Sequence, residues 1–362
     1  MSQNNSTKRI RIGVIGLGWV SIHRHIPALI KNPAFEIVGV ADRQGNKARE
    51  VAAKFGFRHA SEAHTLADIS WINEVDAIDV VTSPMEHYHY IRDALEHNLH
   101  VITEKPFAMT VEQGTELVAL SQQKKLCLAI VHNFQFASSA LKLKQAIAEN
   151  RLGTIRSISA FQWGNPGRRL PTWYQELPQG LFFDESPHLL YLVRALSKGN
   201  LSMKSVESFV STTGNTTPAS IDAFFHGKNG ENNTIPVSIS CRFEAPISEW
   251  YVSVLGDKAV GMVDIFRDIY IELPNDGDHT SFKVLRTSWR ATLMHWMRHF
   301  VNGPLHFLGK LEYGNDEVFG RFERAIRSNS APADIDAVDA LAVLKLQHQI
   351  MQMAAQSQQK IG

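Results

Sequence analysis

The sequence predicts an α/β protein in two parts: an N-terminal doubly wound parallel sheet, and a second part built on an antiparallel or mixed sheet. Three observations lead there. Strand and helix signals alternate up to about residue 135. Beyond it, strand-like segments follow one another with turn residues between them. A glycine-rich turn directly follows the first strand and opens a helix.

In chain order, 9–15 is a short apolar run that reads as a buried strand, and 19–31 carries Ile22, Ile26, Leu29 and Ile30 on one helical side. Segment 36–41 is a second strand, 47–55 a helix, and 77–82 a third strand. A helix over 87–97, a short strand at 101–103, an amphipathic helix over 111–124 and a strand at 126–132 complete the first part. Segment 141–149 is one more helix, and strands are expected at 157–163, 205–212, 220–226, 234–243, 250–255, 259–264 and 269–273. A helix at 186–196 interrupts them, and helices at 289–301, 316–327 and 336–354 end the chain. The expected domains are 1–135 and 136–362, the second carrying the C-terminal helices, which can pack back on either domain; residues 1–7 are polar and read as frayed.

Composition narrows the function. The 362 residues carry 37 Lys+Arg against 36 Asp+Glu, a net charge of +1, which argues against nucleic acid or an anionic membrane as the main partner. With 44% hydrophobic residues the chain can bury a large core. Cys127 and Cys241 are no disulfide framework and read as buried thiols. No signal-peptide pattern precedes the first strand and no apolar run is long enough to span a bilayer, so a soluble cytoplasmic protein is expected. There is no Cys/His cluster and no His-Glu-x-x-His, so no metal is expected.

The most informative motif is Gly16-Leu17-Gly18-Trp19-Val20-Ser21. The first glycine permits the tight turn, the second clears the backbone for a pyrophosphate, and Ser21 is small enough for close helix–strand packing. The helix N-terminus offers free N–H groups and a positive dipole end. Asp42 ends the next strand, where an acidic residue binds the adenosine ribose hydroxyls and favours NAD; Arg43 beside it suits the 2′-phosphate of NADP. The pattern is that of a dinucleotide-binding Rossmann domain, with NAD favoured.

Further motifs join it: Thr82-Ser83-Pro84-Met85-Glu86-His87 after the third strand, Glu104-Lys105-Pro106-Phe107-Ala108 after the fourth, Asp184-x-x-x-His188 in the second part, and the closing stretch 322–340. Together with the glycine motif they resemble the Gfo/Idh/MocA family of NAD(P)-dependent oxidoreductases, which includes glucose–fructose oxidoreductase and inositol 2-dehydrogenase. The resemblance implies a C-terminal α/β domain with a large, open, mostly antiparallel sheet through which members oligomerise, hence a homodimer or homotetramer. It implies a substrate that is a sugar, sugar derivative or cyclitol, whose secondary hydroxyl is oxidised by hydride transfer to the nicotinamide.

On that resemblance Lys105 contacts the reacting hydroxyl, in a Lys-Pro bond that is often cis, and Thr82, Pro84, His87 and Glu104 line the cofactor side with Gly16, Gly18, Trp19, Val20, Asp42 and Arg43. Lys105 follows a strand end of the nucleotide domain, where ligands bind, and Glu104 is placed to hold it. His188 has the pKa range of a general base, and Asp184, four residues earlier, orients it or the substrate. The alternative is Asp184 or Ser186 as a helix cap, Pro187 in the first turn and His188 as a packing residue. The family's segment has glycine where this chain has Ser186 and a second Asp where it has Tyr191. His132, Asn133, Arg168, Arg169, Trp173 and Tyr191 are the remaining substrate candidates, while His23 and His25 alternate without a metal-site pattern. A non-catalytic NAD(P)-binding metabolite sensor is the second reading; the Lys105–Asp184–His188 set, which such a sensor has no need of, favours the enzyme.

Overall fold

The first strand, β1 (Ile10–Ile15), is an almost wholly apolar run, and Ile12 and Val14 are fully buried. The computed structural model describes residues 8–199, 201–229 and 233–358, so the expected frayed segment 1–7 lies outside the described residues. Around β1 assemble β2 (Phe35–Asp42), β3 (His59–Glu62), β4 (Ala77–Val80), β5 (His100–Thr103) and β6 (Leu128–Ile130). All pairings are parallel and the order is β3-β2-β1-β4-β5-β6. This is the Rossmann order; ligands bind beyond the carboxyl ends of the strands where the order reverses, at β1 and β4. β3 has no counterpart in the sequence reading. Its residues His-Ala-Ser-Glu show no apolar alternation, and it forms because β2 offers a free edge.

The helices of this unit are α1 (Ile26–Lys31), entered through a π-helical stretch Ser21–His25, then α2 (Gly45–Phe55), α3 (Pro84–Glu96) and α4 (Val111–Lys124). Pro84 opens α3 at a position that needs no N–H, and Thr110 caps α4 by accepting the Gln113 N–H at 3.2 Å.

The second unit begins at Phe134. It runs through α5 (Ser138–Ala148), β7 (Ile155–Trp163), α6 (Leu181–Leu196), β8 (Leu201–Phe209), β9 (Ser220–Lys228), β10 (Thr234–Arg242), β11 (Glu249–Gly256), β12 (Ala259–Asp264), β13 (Ile269–Pro274) and α7 (Ser281–Phe307). The seven strands form one sheet in the order β13-β12-β11-β7-β10-β9-β8, antiparallel except for the β7–β10 pair. Ile158, Ala160, Val237, Ile239, Val252 and Val254 line its buried face, against which α5 and α6 pack. The other face is open and bears the ring cluster Phe161, Trp163 and Tyr251.

Residues 314–345 correct the expected division: they group with the first unit, not the second. The reason is apolar. On α8 (Asn315–Ser328), Phe319 and Phe322 are fully buried and their rings lie 6.3 Å from that of Phe35 on β2. Ile130 N–H donates to Ile335 O at 2.8 Å and so covers the edge of the six-stranded sheet. The last helix, α9 (Ala337–Gln358), supplies Leu341 and Leu344 beside Gly114 of α4; its residues from Leu346 on group with the second unit.

Candidate active site

The glycine turn fits a dinucleotide. Gly16 has φ +88, and a Cβ there would meet Val81 O at 2.6 Å, so only glycine closes this turn against the end of β4. A Cβ on Gly18 would meet nothing within 4 Å: the space over the helix N-terminus is open, as an approaching phosphate needs. Ser21 is fully buried, as the third motif position requires. Asp42 secures the turn from the next strand. Its Oδ2 accepts the Leu17 N–H at 2.8 Å, its Oδ1 accepts the Gln44 N–H at 2.9 Å, and Lys47 Nζ stands 3.6 Å away. Arg43 is exposed beside it. Trp19 and Val20 are exposed at the start of the helix, and the Trp19 ring lies tilted against His23 at 5.0 Å.

The Lys105-Pro106 bond is cis. Two buried histidines hold this loop, and both were read differently from the sequence. His87 is fully buried, with Nδ1 2.8 Å from Pro106 O and Nε2 3.1 Å from Thr82 O. Burial lowers its pKa, so the neutral ring donates to one carbonyl, the shorter Pro106 contact. It ties the Thr82 turn to the cis bond and is a positioning residue, not a cofactor contact.

His25 was set aside in the sequence and is the central find. It is wholly buried: Nδ1 lies 2.9 Å from Asp79 Oδ2 on β4, and Nε2 lies 3.0 Å from Glu104 Oε1. Burial opposes a charge on the ring, but Asp79 and then Glu104 outweigh it, and the His25 pKa is pushed up to about 10. An imidazolium therefore donates to both carboxylates. Burial also acts against the Glu104 charge, yet the His25 bond and charge hold its pKa below the usual range, and its Oε2 accepts the Lys105 backbone N–H at 3.1 Å. Glu104 thus faces inward and sets the Lys105 backbone rather than reaching for a cofactor.

In the second unit, α6 is continuous through Asp184 and His188, so the two share a helix face four residues apart, each 9% exposed. The helix starts at Leu181 after Gly180, which corrects the expected start at 186: Pro187 is interior and Asp184 is no cap. An interior proline leaves the carbonyl four residues back without its donor. Here that carbonyl is Phe183 O, and the fully buried Gln347 fills the gap, its Nε2 donating to Phe183 O at 2.6 Å and to Ser186 Oγ at 2.9 Å. Gln347→Leu strands the carbonyl, so the expected cost is about 1–3 kcal/mol. Thermal unfolding reads it; an unchanged midpoint would mean another donor takes over.

Tyr191 is buried and holds His188. Its Oη accepts the Phe134 N–H at 3.0 Å and lies 2.9 Å from His188 Nδ1. Phe134 at 4.7 Å and Trp250 at 5.3 Å wall the imidazole. Neither ring was singled out in the sequence; each comes from a separate element, and only folding brings them together. Arg168 is turned onto α6, its Nη2 pairing with Glu185 Oε1 at 2.5 Å and its Nη1 donating to Asn165 O at 3.0 Å. It anchors the loop. Trp173 is half-buried at the entry to a 3-10 turn, Arg169 is exposed, and His132 is buried just past β6. Cys127 and Cys241 are free and buried; burial pushes Cys127 up to about 12 and raises Cys241 as well, so neither is a thiolate. Among the described residues no group of three His, Cys, Asp or Glu could hold a metal, and no helix is long and apolar enough to cross a membrane.

Comparison with known proteins agrees with this frame. Residues 10–132 match the GFO/IDH/MocA oxidoreductase family, NAD-binding Rossmann fold, and residues 140–260 match the GFO/IDH/MocA C-terminal domain. Over 154 residues the chain is 30% identical to the dTDP-3,4-didehydro-2,6-dideoxy-alpha-D-glucose 3-reductase of Streptomyces antibioticus, covering 42% of this chain and 45% of that protein. Over 183 residues it is 32% identical to the oxidoreductase YdgJ of Escherichia coli, covering 50% and 51%. The chain thus spans about half the length of the curated relatives it matches. The solved UDP-N-acetylglucosamine 3-dehydrogenase GnnA from Acidithiobacillus ferrooxidans shares the fold, with a TM-score of 0.71 over 96% of this chain and 99% of that one at 18% identity. With both halves matched, the chain belongs to the GFO/IDH/MocA oxidoreductase family, and its N-terminal unit is an NAD-binding Rossmann domain.

Proposed function

We propose that the protein is an NAD-dependent dehydrogenase or reductase that interconverts a secondary hydroxyl of a sugar, sugar derivative or cyclitol with the ketone. The observation that supports it most is the His25–Asp79–Glu104 network fixing the Lys105 backbone two strands along from the glycine turn, with β4 between them. A buried charge network is costly, and here it sets the loop that bears one lysine.

Bound NAD supplies the hydride acceptor. Gly16 and Gly18 clear the turn for its pyrophosphate, and Asp42 receives the ribose hydroxyls, which favours NAD over NADP. Lys105 binds the substrate oxygen and stabilises the negative charge that grows on it. His188 takes the hydroxyl proton at Nε2 while Tyr191 holds Nδ1, and Asp184, one turn before it, orients the substrate or the ring. The curated 3-reductase relative acts on a nucleotide-linked keto-sugar, which supports the same substrate class here.

Thermal unfolding with NAD(H) and NADP(H) in separate samples tests the first half. A ligand at 100 times its dissociation constant stabilises by about 2.7 kcal/mol. NAD(H) is expected to shift the midpoint most. No shift with any of the four, in protein whose denatured supernatant contains no nucleotide, would sink the reading. Lys105→Met is expected to keep the NAD shift and to slow turnover of a sugar or cyclitol found by screening by about 10²–10³-fold.

A further inference from the structure

Helix α7 is laid on its unit the unexpected way round. Its partly buried side is Lys283, Thr287, Ala291, Met294, His295 and Arg298, with buried Asn302. Polar bonds fasten it: Arg290 Nε donates to Glu272 O at 2.8 Å, and Asn302 Nδ2 donates to Arg267 O at 3.0 Å and Asp268 O at 2.7 Å. The large apolar residues face outward. Phe282, Leu285, Trp289, Leu293, Met297 and Phe300 are between 54% and 74% exposed, at steps of 3, 4, 4, 4 and 3, the repeat of one straight helical face.

We infer that this stripe is a self-association surface, covered by α7 of a second copy of the chain packed antiparallel to it. The steps read the same in both directions about Ala291. A two-fold axis there sets Phe282 against the partner's Phe300, Leu285 against the partner's Met297, and Trp289 against the partner's Leu293. Each copy meets the same patch of the other, as a closed dimer requires. The charges fit the same register. Residues 281–307 contain Lys283, Arg286, Arg290 and Arg298 and no acid, so a self-pairing must keep these four from opposing one another. In this one Arg286 meets the partner's Trp296, a cation–π pairing, and Arg290 lies level with the partner's Thr292.

The area is sufficient. Phe282, Trp289, Trp296 and Phe300 are each more than half exposed. At roughly 150–250 Å² per buried aromatic residue, they and their aliphatic neighbours supply on the order of 800 Å², one partner's share of a stable interface. That exceeds the apolar patch of about 300–600 Å² that monomers ordinarily show. A membrane fits less well: Lys283 and Arg290 are turned onto the chain's own Asp278 and Glu272 and do not flank the stripe toward lipid.

Leu293→Glu tests this on the full chain by light scattering after gel filtration. Its expected effect is to halve the assembled mass, with the thermal midpoint kept because the residue is exposed. If the midpoint falls as well, the double variant Trp289→Cys/Leu293→Cys decides, since oxidation should link its chains while leaving Trp289→Cys and Leu293→Cys alone unlinked, as this register requires. Three results would overturn the inference: a wild-type chain that runs at its monomer mass of 40.6 kDa at tens of micromolar, an assembly whose mass Leu293→Glu leaves unchanged, or a monomer that sediments with anionic phospholipid vesicles.

Discussion

Replacing His25 with alanine is expected to destabilise the nucleotide-binding unit by about 3–5 kcal/mol, the usual cost of removing one partner from a buried ion pair. The cavity is secondary. What remains is two carboxylates, Asp79 and Glu104, with no cation between them, in a site with no exposure at His25 or Asp79. They must protonate or draw in water, and either outcome loosens the Lys105 backbone, whose N–H rests on Glu104. The pH dependence identifies the cause. His25 is raised from its ordinary 6.5 to about 10, so its contribution is complete below about pH 6.5 and is lost as pH rises through 10. One proton gives a slope of at most about 1.4 kcal/mol per pH unit across that window. The wild-type midpoint should therefore fall as pH rises from about 6.5 to 10. A wild-type midpoint that stays flat over that range would mean that His25 is neutral in the folded protein.

How much of this was legible in the sequence depends on how local the signal was. The glycine turn, Asp42 and the alternation of β1, β2, β4 and β5 with helices are local patterns, and they gave the first sheet and its binding edge. β3 was not legible, because four residues at a sheet edge, three half-buried and Glu62 exposed, owe their strand to a neighbour. The reach of α6 back to Leu181 was hidden by Pro187, which ordinarily ends or begins a helix. Only Gln347, 164 residues away, makes an interior proline tolerable there. His25 gave no signal, because with His23 two residues before it the spacing matched no metal or catalytic pattern. Its partners come 54 and 79 residues later, and one of them, Asp79, sits in a strand whose four residues are all buried. A charged residue in the middle of such a strand was the one clue available, since a buried acid must find a partner. The inverted burial of α7 was invisible for the opposite reason: its apolar face is regular, and periodicity says that a face is apolar without saying what covers it.

His188→Asn is expected to lower turnover by about 10²–10⁴-fold while leaving NAD binding intact, the range for losing a positioned acid–base group. The structure makes a sharper statement than this loss alone. Tyr191 Oη already accepts the Phe134 N–H, so two proton arrangements remain on the His188 side. In one, Tyr191 donates to Nδ1 and the neutral ring keeps its proton on Nε2. In the other, Nδ1–H donates to Oη and Nε2 is bare. Only the second lets Nε2 accept a proton, and a neutral tyrosine enforces it less strictly than the carboxylate the family's pattern has there. Tyr191→Phe should then reduce kcat by less than His188→Asn does and leave KM near its wild-type value, at a stability cost of about 1–3 kcal/mol for the orphaned Phe134 amide. Added imidazole should restore part of the rate to His188→Ala, because a free base can occupy the space between Phe134 and Trp250. Full turnover in His188→Asn would leave His188 as packing and assign the proton to another group. Loss without rescue, together with a lowered thermal midpoint, would mean that the ring serves its aromatic walls and not the reaction.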